Sequence, residues 1–155
     1  ALLLLLLLVY VHNQWTRNAL MYAVSFAAPA SASREFINVA LSFDPSQYAI
    51  LASFGFTLLY TAASLVAGRV ADLLPRGRTL AAALFLWSAA LALQATACTG
   101  FATLLVCRIV QGLAMAFTGP QALSLIADRF PPASLATATS IYASGVYIGT
   151  AGASL

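Results

Sequence analysis

Charge is nearly absent from this sequence: only 7% of its 155 residues are Asp, Glu, Lys or Arg, none is lysine, and four acids face seven arginines. Soluble domains carry about 25% charged residues, so water is not the solvent this composition suits. A net charge of +3 drawn from so few ions excludes a nucleic-acid partner, which needs a clustered basic stripe. Catalytic equipment is lacking as well. There is no Ser, His and acid arrangement, no phosphate loop and no metal-ligand spacing, so neither an enzyme, a metal nor a cofactor is expected. The two cysteines, Cys98 and Cys107, read as buried thiols that pack like small hydrophobes. No basic segment precedes the Leu2 to Leu8 tract and no cleavage boundary follows it, which argues against a secretory signal. The first residue is Ala and the last, Leu155, falls within an apolar run, so the sequence reads as a fragment.

What is present is hydrophobic length. Hydrophobic residues make up 62% of the chain and mean hydropathy is +0.92. A membrane-spanning helix needs about 20 mostly apolar residues, and five segments qualify: residues 2–28, 48–67, 80–98, 102–127 and 135–155. Their continuity predicts helices, because barrel strands alternate and need only about 9–11 residues. The expected fold is an all-α membrane protein, a single membrane domain over residues 1–155. Between the spans lie a polar link (31–47), a compact charged link (68–79), a tight turn at Thr99 and Gly100, and a short link (128–134). Helical spacing of Phe36, Ile37, Ala40 and Leu41 predicts a surface helix from Arg34 to Phe43. Arg69, Arg76, Arg78 and Arg129 fall on one side of the spans and Arg34 on the other, which predicts a cytoplasmic amino end.

Two motifs stand out. Between the second and third spans runs Gly68-Arg-Val-Ala-Asp72-Leu-Leu-Pro75-Arg76-Gly77-Arg78. Gly68 permits close helix approach, Asp72 lies where a helix ends, and Arg76 and Arg78 can pair with it or hold that face shut. In the fourth span, Arg108, Gln111 and Gly112 follow Leu104-Leu-Val-Cys. An arginine at lipid depth costs at least about 2.5 kcal/mol and is tolerated chiefly facing a bundle interior or water. Arg108 is expected there, the other placement being a snorkel to the interface; Gln111, three residues on, shares its face.

The first motif resembles the signature loop of the major facilitator superfamily, with Leu73 where a basic residue usually follows the Asp. Its Gly68, Asp72, Pro75, Arg76 pattern is similar to the spinster-like branch. The second resembles the fourth-helix motif of the same superfamily. The resemblance implies an incomplete six-helix amino-terminal half, five transmembrane helices being present, of a carrier with twelve. It also implies that the first and fourth spans are equivalent members of two nested three-helix repeats with a site at the midplane between them. Arg17 and Arg108 are the only charges within spans, one in each of these two.

Around Arg17 the first span is unusually polar. Asn13, Gln14, Arg17 and Met21 form a stripe suited to a hydrated cavity, joined by Arg108 and Gln111, while His12 falls off it and is read as a helix-packing hydrogen-bond donor. Gly112, Gly145 and Gly149 are read as helix-packing positions. All four acids, Glu35, Asp44, Asp72 and Asp128, lie in links, so proton coupling through this portion gains no support. The expected activity is alternating-access transport of a small organic solute, anionic or amphiphilic. The partners are that solute, the lipid bilayer and further helices of the same protein. The alternative is a non-transporting scaffold or receptor-like subunit with the same fold.

Overall fold

The computed structural model of the protein describes residues 1–27 and 36–155. Ala28, Arg34 and Glu35, which figure in the predicted first span, outer link and acid count, lie outside the described residues. Among the described residues all regular structure is helical: α1 (Leu2–Tyr22), a short α2 (Ile37–Ala40), α3 (Pro45–Leu73), α4 (Arg76–Thr96), α5 (Phe101–Arg129) and α6 (Pro132–Ala153).

Local chemistry sets the boundaries. Ser42 takes a left-handed backbone (φ 52°), turning the chain toward Asp44. Asp44 Oδ1 then accepts from the Gln47 amide at 2.8 Å, Gln47 Oε1 accepts from the Asp44 amide at 3.1 Å, and Pro45 opens α3. Within α3, residues Ile50–Leu58 form a π-helical stretch before regular α-helix resumes at Leu59. Pro120 lacks an amide proton and crowds the carbonyl four residues back, and α5 is interrupted there, at Ala116 and Phe117.

The charged links are shorter than hydropathy predicts. Only Leu74 and Pro75 separate α3 from α4, and only Phe130 and Pro131 separate α5 from α6. Each break ends on a proline, which disfavours helix in the residue before it. Apolar content marks where a helix leaves oil; it does not mark where the backbone ladder stops. The predicted surface helix is also different. Among its described residues, 36–43, the helical part is Ile37–Ala40; Asn38 is buried and bonds the Ser25 backbone twice, at 2.8 and 3.1 Å, while Phe43 packs with Leu20, Leu51 and Leu104. This packs the link against the bundle.

Side-chain pairings fix the topology. Tyr10 meets Tyr142 and Asn18 meets Thr150, so α1 and α6 run parallel. Asn13 meets Thr118 and Arg108 reaches Arg17, so α5 runs against α1. His12 against Ser88 and Gln94 against Gln111 set α4 parallel to α1. The five long helices therefore alternate in direction, and Arg69, Asp72, Arg76, Arg78, Asp128 and Arg129 gather at one end.

Burial is inverted relative to a water-soluble domain. Asn13, Thr16, Arg108, Gln111, Thr118 and Gln121 are buried, whereas Leu4, Leu8, Leu65, Phe85, Val106 and Ile148 are exposed. Three helices, α3, α4 and α5, are long and apolar enough to cross a membrane. α1 and α6 fall outside that group for a compositional reason: α1 carries the polar run His12–Asn18, and α6 is rich in Ala, Ser, Thr and Gly. They bury these faces against each other. A Cβ at Gly149 would lie 2.5 Å from the Val11 carbonyl oxygen, and one at Gly145 would lie 3.1 Å from Tyr10.

Candidate functional site

α1 presents different residues to different neighbours, and this sorts the predicted stripe. Asn13 faces α5, its Nδ2 donating to Thr118 Oγ1 at 3.0 Å in a buried bond. Gln14 is pressed beneath Gly149 of α6, where an added Cβ would lie 2.7 Å from its own Cβ. These two side chains are packed between helices and are not among the residues that line the cavity beside Arg17. His12 faces α4, with Nε2 3.4 Å from Ser88 Oγ and its ring stacked 6.1 Å from Trp87.

Arg17 and Met21 do reach open space. A cavity of about 160 Å³ is lined by Arg17, Asn18, Met21, Tyr48, Phe56 and Arg108. The Arg17 Cζ lies 5.2 Å from the ring centres of both Phe56 and Tyr60, themselves stacked at 5.9 Å. Aromatic faces carry negative potential and attract a guanidinium by about 0.5–2 kcal/mol. Phe56 serves both cations, since the Arg108 Cζ is 5.1 Å from its centre. Gly112 makes room for this ring: a Cβ there would meet Phe56 at 3.0 Å.

Arg108 is 4% exposed and held by neutral acceptors. Its Nη2 donates to the Arg17 carbonyl at 2.8 Å and its Nη1 to Gln111 Oε1 at 3.0 Å, while Nε has no partner. Gln111 is completely buried, and its Nε2 approaches the Thr16 carbonyl at 3.4 Å. These contacts decide between the two placements considered from sequence: Arg108 points into the bundle and does not snorkel outward. Among the described residues no carboxylate pairs with Arg17 or Arg108; the ion pair found there joins Arg76 to Asp128. The two cations lie in the half of the bundle away from the charged end. Arg108 is roughly 10 Å from the middle of α5 at 1.5 Å per residue.

At the charged end the predicted gating loop is two helix ends. Gly68 and Asp72 lie in the last turns of α3, Arg76 and Arg78 in the first turn of α4. Arg76 Nε donates to the Ala71 carbonyl at 3.0 Å, and its Nη1 pairs with Asp128 of α5. Its acidic partner is thus Asp128 and not Asp72, because the Ala71 bond turns the guanidinium toward α5. A Cβ at Gly68 would meet nothing within 4 Å among the described residues. Sequence reading missed Phe56, Tyr60, Tyr48, Thr118 and Gln94. Only the aromatic content of the second span hinted at the first two. Among the described residues no three His, Cys, Asp or Glu side chains are grouped to hold a metal.

Comparison with known proteins agrees with this architecture. Two crystal structures of a bacterial homologue of the human lysosomal transporter Spinster resemble the chain. The inward-facing occupied form has a TM-score of 0.85 and 28% identity over 97% of this chain. The inward-facing unoccupied form has a TM-score of 0.84 and 28% identity over 98%. The chain spans 30% and 29% of the length of those structures, respectively. No curated protein matches it. The family model of the Major Facilitator Superfamily matches residues 6–155, and the chain belongs to that superfamily.

Proposed function

We propose that the chain is the amino-terminal part of a transporter that moves a small organic anion or amphiphile by alternating access. In this reading all five long helices cross the bilayer, with the amino end cytoplasmic, and further helices of the same protein complete the path. One observation carries it: Arg17 and Arg108, on two different helices, share the Phe56 ring beside a cavity and have no carboxylate partner among the described residues. Two cations confined in a low-dielectric bundle repel each other, and an entering anion relieves that repulsion. Likeness to the crystal structures of a bacterial transporter homologue supports the same reading. The Arg76 to Asp128 pair, joining α4 to α5 at the charged end, is proposed as part of a cytoplasmic closure.

The test is uptake by the full-length protein in proteoliposomes with Arg17→Gln and Arg108→Gln variants. Both are expected to abolish uptake while membrane insertion stays intact. Undiminished uptake by either variant would refute the assignment.

A further inference from the structure

Gln94 lies on α4, which contributes no residue to the wall of the Arg17 cavity. It nevertheless reaches Arg108 through a single intermediary. Gln94 Nε2 donates to Gln111 Oε1 at 2.8 Å, and Arg108 Nη1 donates to the same oxygen at 3.0 Å. Two donors converging on one oxygen fix which end of the buried Gln111 amide faces them. A reversed amide would set its NH2 against both the guanidinium and the Gln94 NH2. With the oxygen held in place, Gln111 Nε2 is left to the Thr16 carbonyl, and Arg108 Nη2 keeps its bond to the Arg17 carbonyl. The chain Gln94, Gln111, Arg108 thus links α4 and α5 to the backbone of α1.

Each partner in this chain is uncharged, and that is its chemical point. Arg108 is oriented by amides and carbonyls, so its charge is not cancelled by whatever holds it. Gln94 also lines a second cavity of about 130 Å³ together with Thr16, Leu91, Leu104 and Arg108, so this side of the guanidinium has space for another side chain. A carboxylate in place of the Gln94 amide would turn a lone pair toward Gln111 Oε1, where the native contact is a hydrogen bond. A favourable partner lining the same cavity is Arg108, whose Nε is buried and unpaired.

The geometry points to Gln94 as a positioning residue of the anion site: it orients Gln111 so that Arg108 is held in place with its charge available to the solute. This rests on the reading of Arg17 and Arg108 as an anion site, and the two ideas fail differently. The probes are phenyl phosphate and its uncharged isostere phenyl phosphorodiamidate, titrated against the full-length protein in nanodiscs. Gln94→Glu is expected to weaken phenyl phosphate at least about tenfold, by pairing with Arg108, and to change the diamidate less than about twofold. Gln94→Leu, which removes one donor and adds no charge, is expected to weaken phenyl phosphate about threefold to tenfold.

Arg108→Gln separates the two claims. If the parent and Arg108→Gln bind phenyl phosphate alike, or the parent does not bind it, the anion site itself is overturned. If Arg108→Gln weakens binding while both Gln94 variants match the parent, only the role of Gln94 is overturned. Equal loss of both probes in the Gln94 variants also overturns it, since that reports general loosening. Should Gln94→Glu fail to fold, Gln94→Leu decides alone: unchanged phenyl phosphate affinity rejects the inference.

Discussion

Replacing Gly149 by alanine tests how α1 and α6 meet. A Cβ there lies 2.5 Å from the Val11 carbonyl oxygen, 2.7 Å from Gln14 Cβ and 3.1 Å from the Trp15 amide nitrogen. Carbon to oxygen contacts ordinarily begin at about 3.3 Å, so α6 must retreat by roughly 0.8 Å. Two of the three obstructing atoms belong to the α1 backbone and cannot swing aside. Retreat loosens the Tyr10 to Tyr142 stack at 4.5 Å and the Asn18 to Thr150 bond at 3.1 Å. Overpacking of this kind costs about 1–3 kcal/mol, partly offset by the gain of up to about 1 kcal/mol when Ala replaces Gly within a helix. Gly152 is the matched control. It is three residues on in the same helix, and an added Cβ meets nothing within 4 Å. Gly152→Ala therefore collects only the helical gain, so one chemical change made one turn apart should move stability in opposite directions. The assay is denaturant unfolding of the purified full-length protein in micelles. A Gly149→Ala protein stabilised as much as Gly152→Ala, or a Gly152→Ala protein that loses as much as Gly149→Ala, would refute the packing described here.

Other outcomes follow from the same geometry. Asn13→Leu and Thr118→Val are each expected to destabilise by about 1 kcal/mol, and the double variant by clearly less than the sum, because both remove the single bond between them; strict additivity in an unfolding cycle would count against it. Gly112→Ala should displace Phe56, which an added Cβ meets at 3.0 Å, and weaken phenyl phosphate about twofold to fivefold with little effect on folding. Unchanged affinity on titration would show that the ring does not tune the site. Arg76→Ala and Asp128→Ala, at a partly exposed ion pair, should each cost no more than about 1 kcal/mol. The charge-exchanged double variant should recover most of that loss in the same unfolding assay, and two additive losses would exclude the pairing.

The helices themselves were legible in the sequence because long apolar runs have few other folds available. Their ends were less so. Residues 68–73 and 76–79 read as a link, since hydropathy registers contact with oil, whereas the helix stops only where Pro75 breaks the ladder. Arg108 was legible as an inward-facing charge from insertion cost alone. The packing of Gln14 against Gly149 was not legible, because a period of 3.6 gives the face of a helix but not the neighbour beside it. Gln94 gave no signal of its own, as its role depends on α4 and α5 lying side by side at one level. Phe56 lies within the π-helical stretch Ile50–Leu58, whose wider turn moves side chains off the 3.6-residue spacing, so its meeting with two arginines could not be counted out along a regular helix.

The uncharged cradle of Arg108 has an electrical consequence. In the proposed anion site the positive charge of Arg108, which no carboxylate among the described residues compensates, stays with the bundle when the site is empty and is offset when an anion enters. Moving one elementary charge through a full 100 mV involves about 2.3 kcal/mol of work, comparable to the energies that hold these helices together. Membrane voltage would therefore act with different strength on the loaded and empty forms. On the proposed reading, current recordings with clamped potential would register this as a voltage dependence that differs between the steps of the empty and the loaded protein.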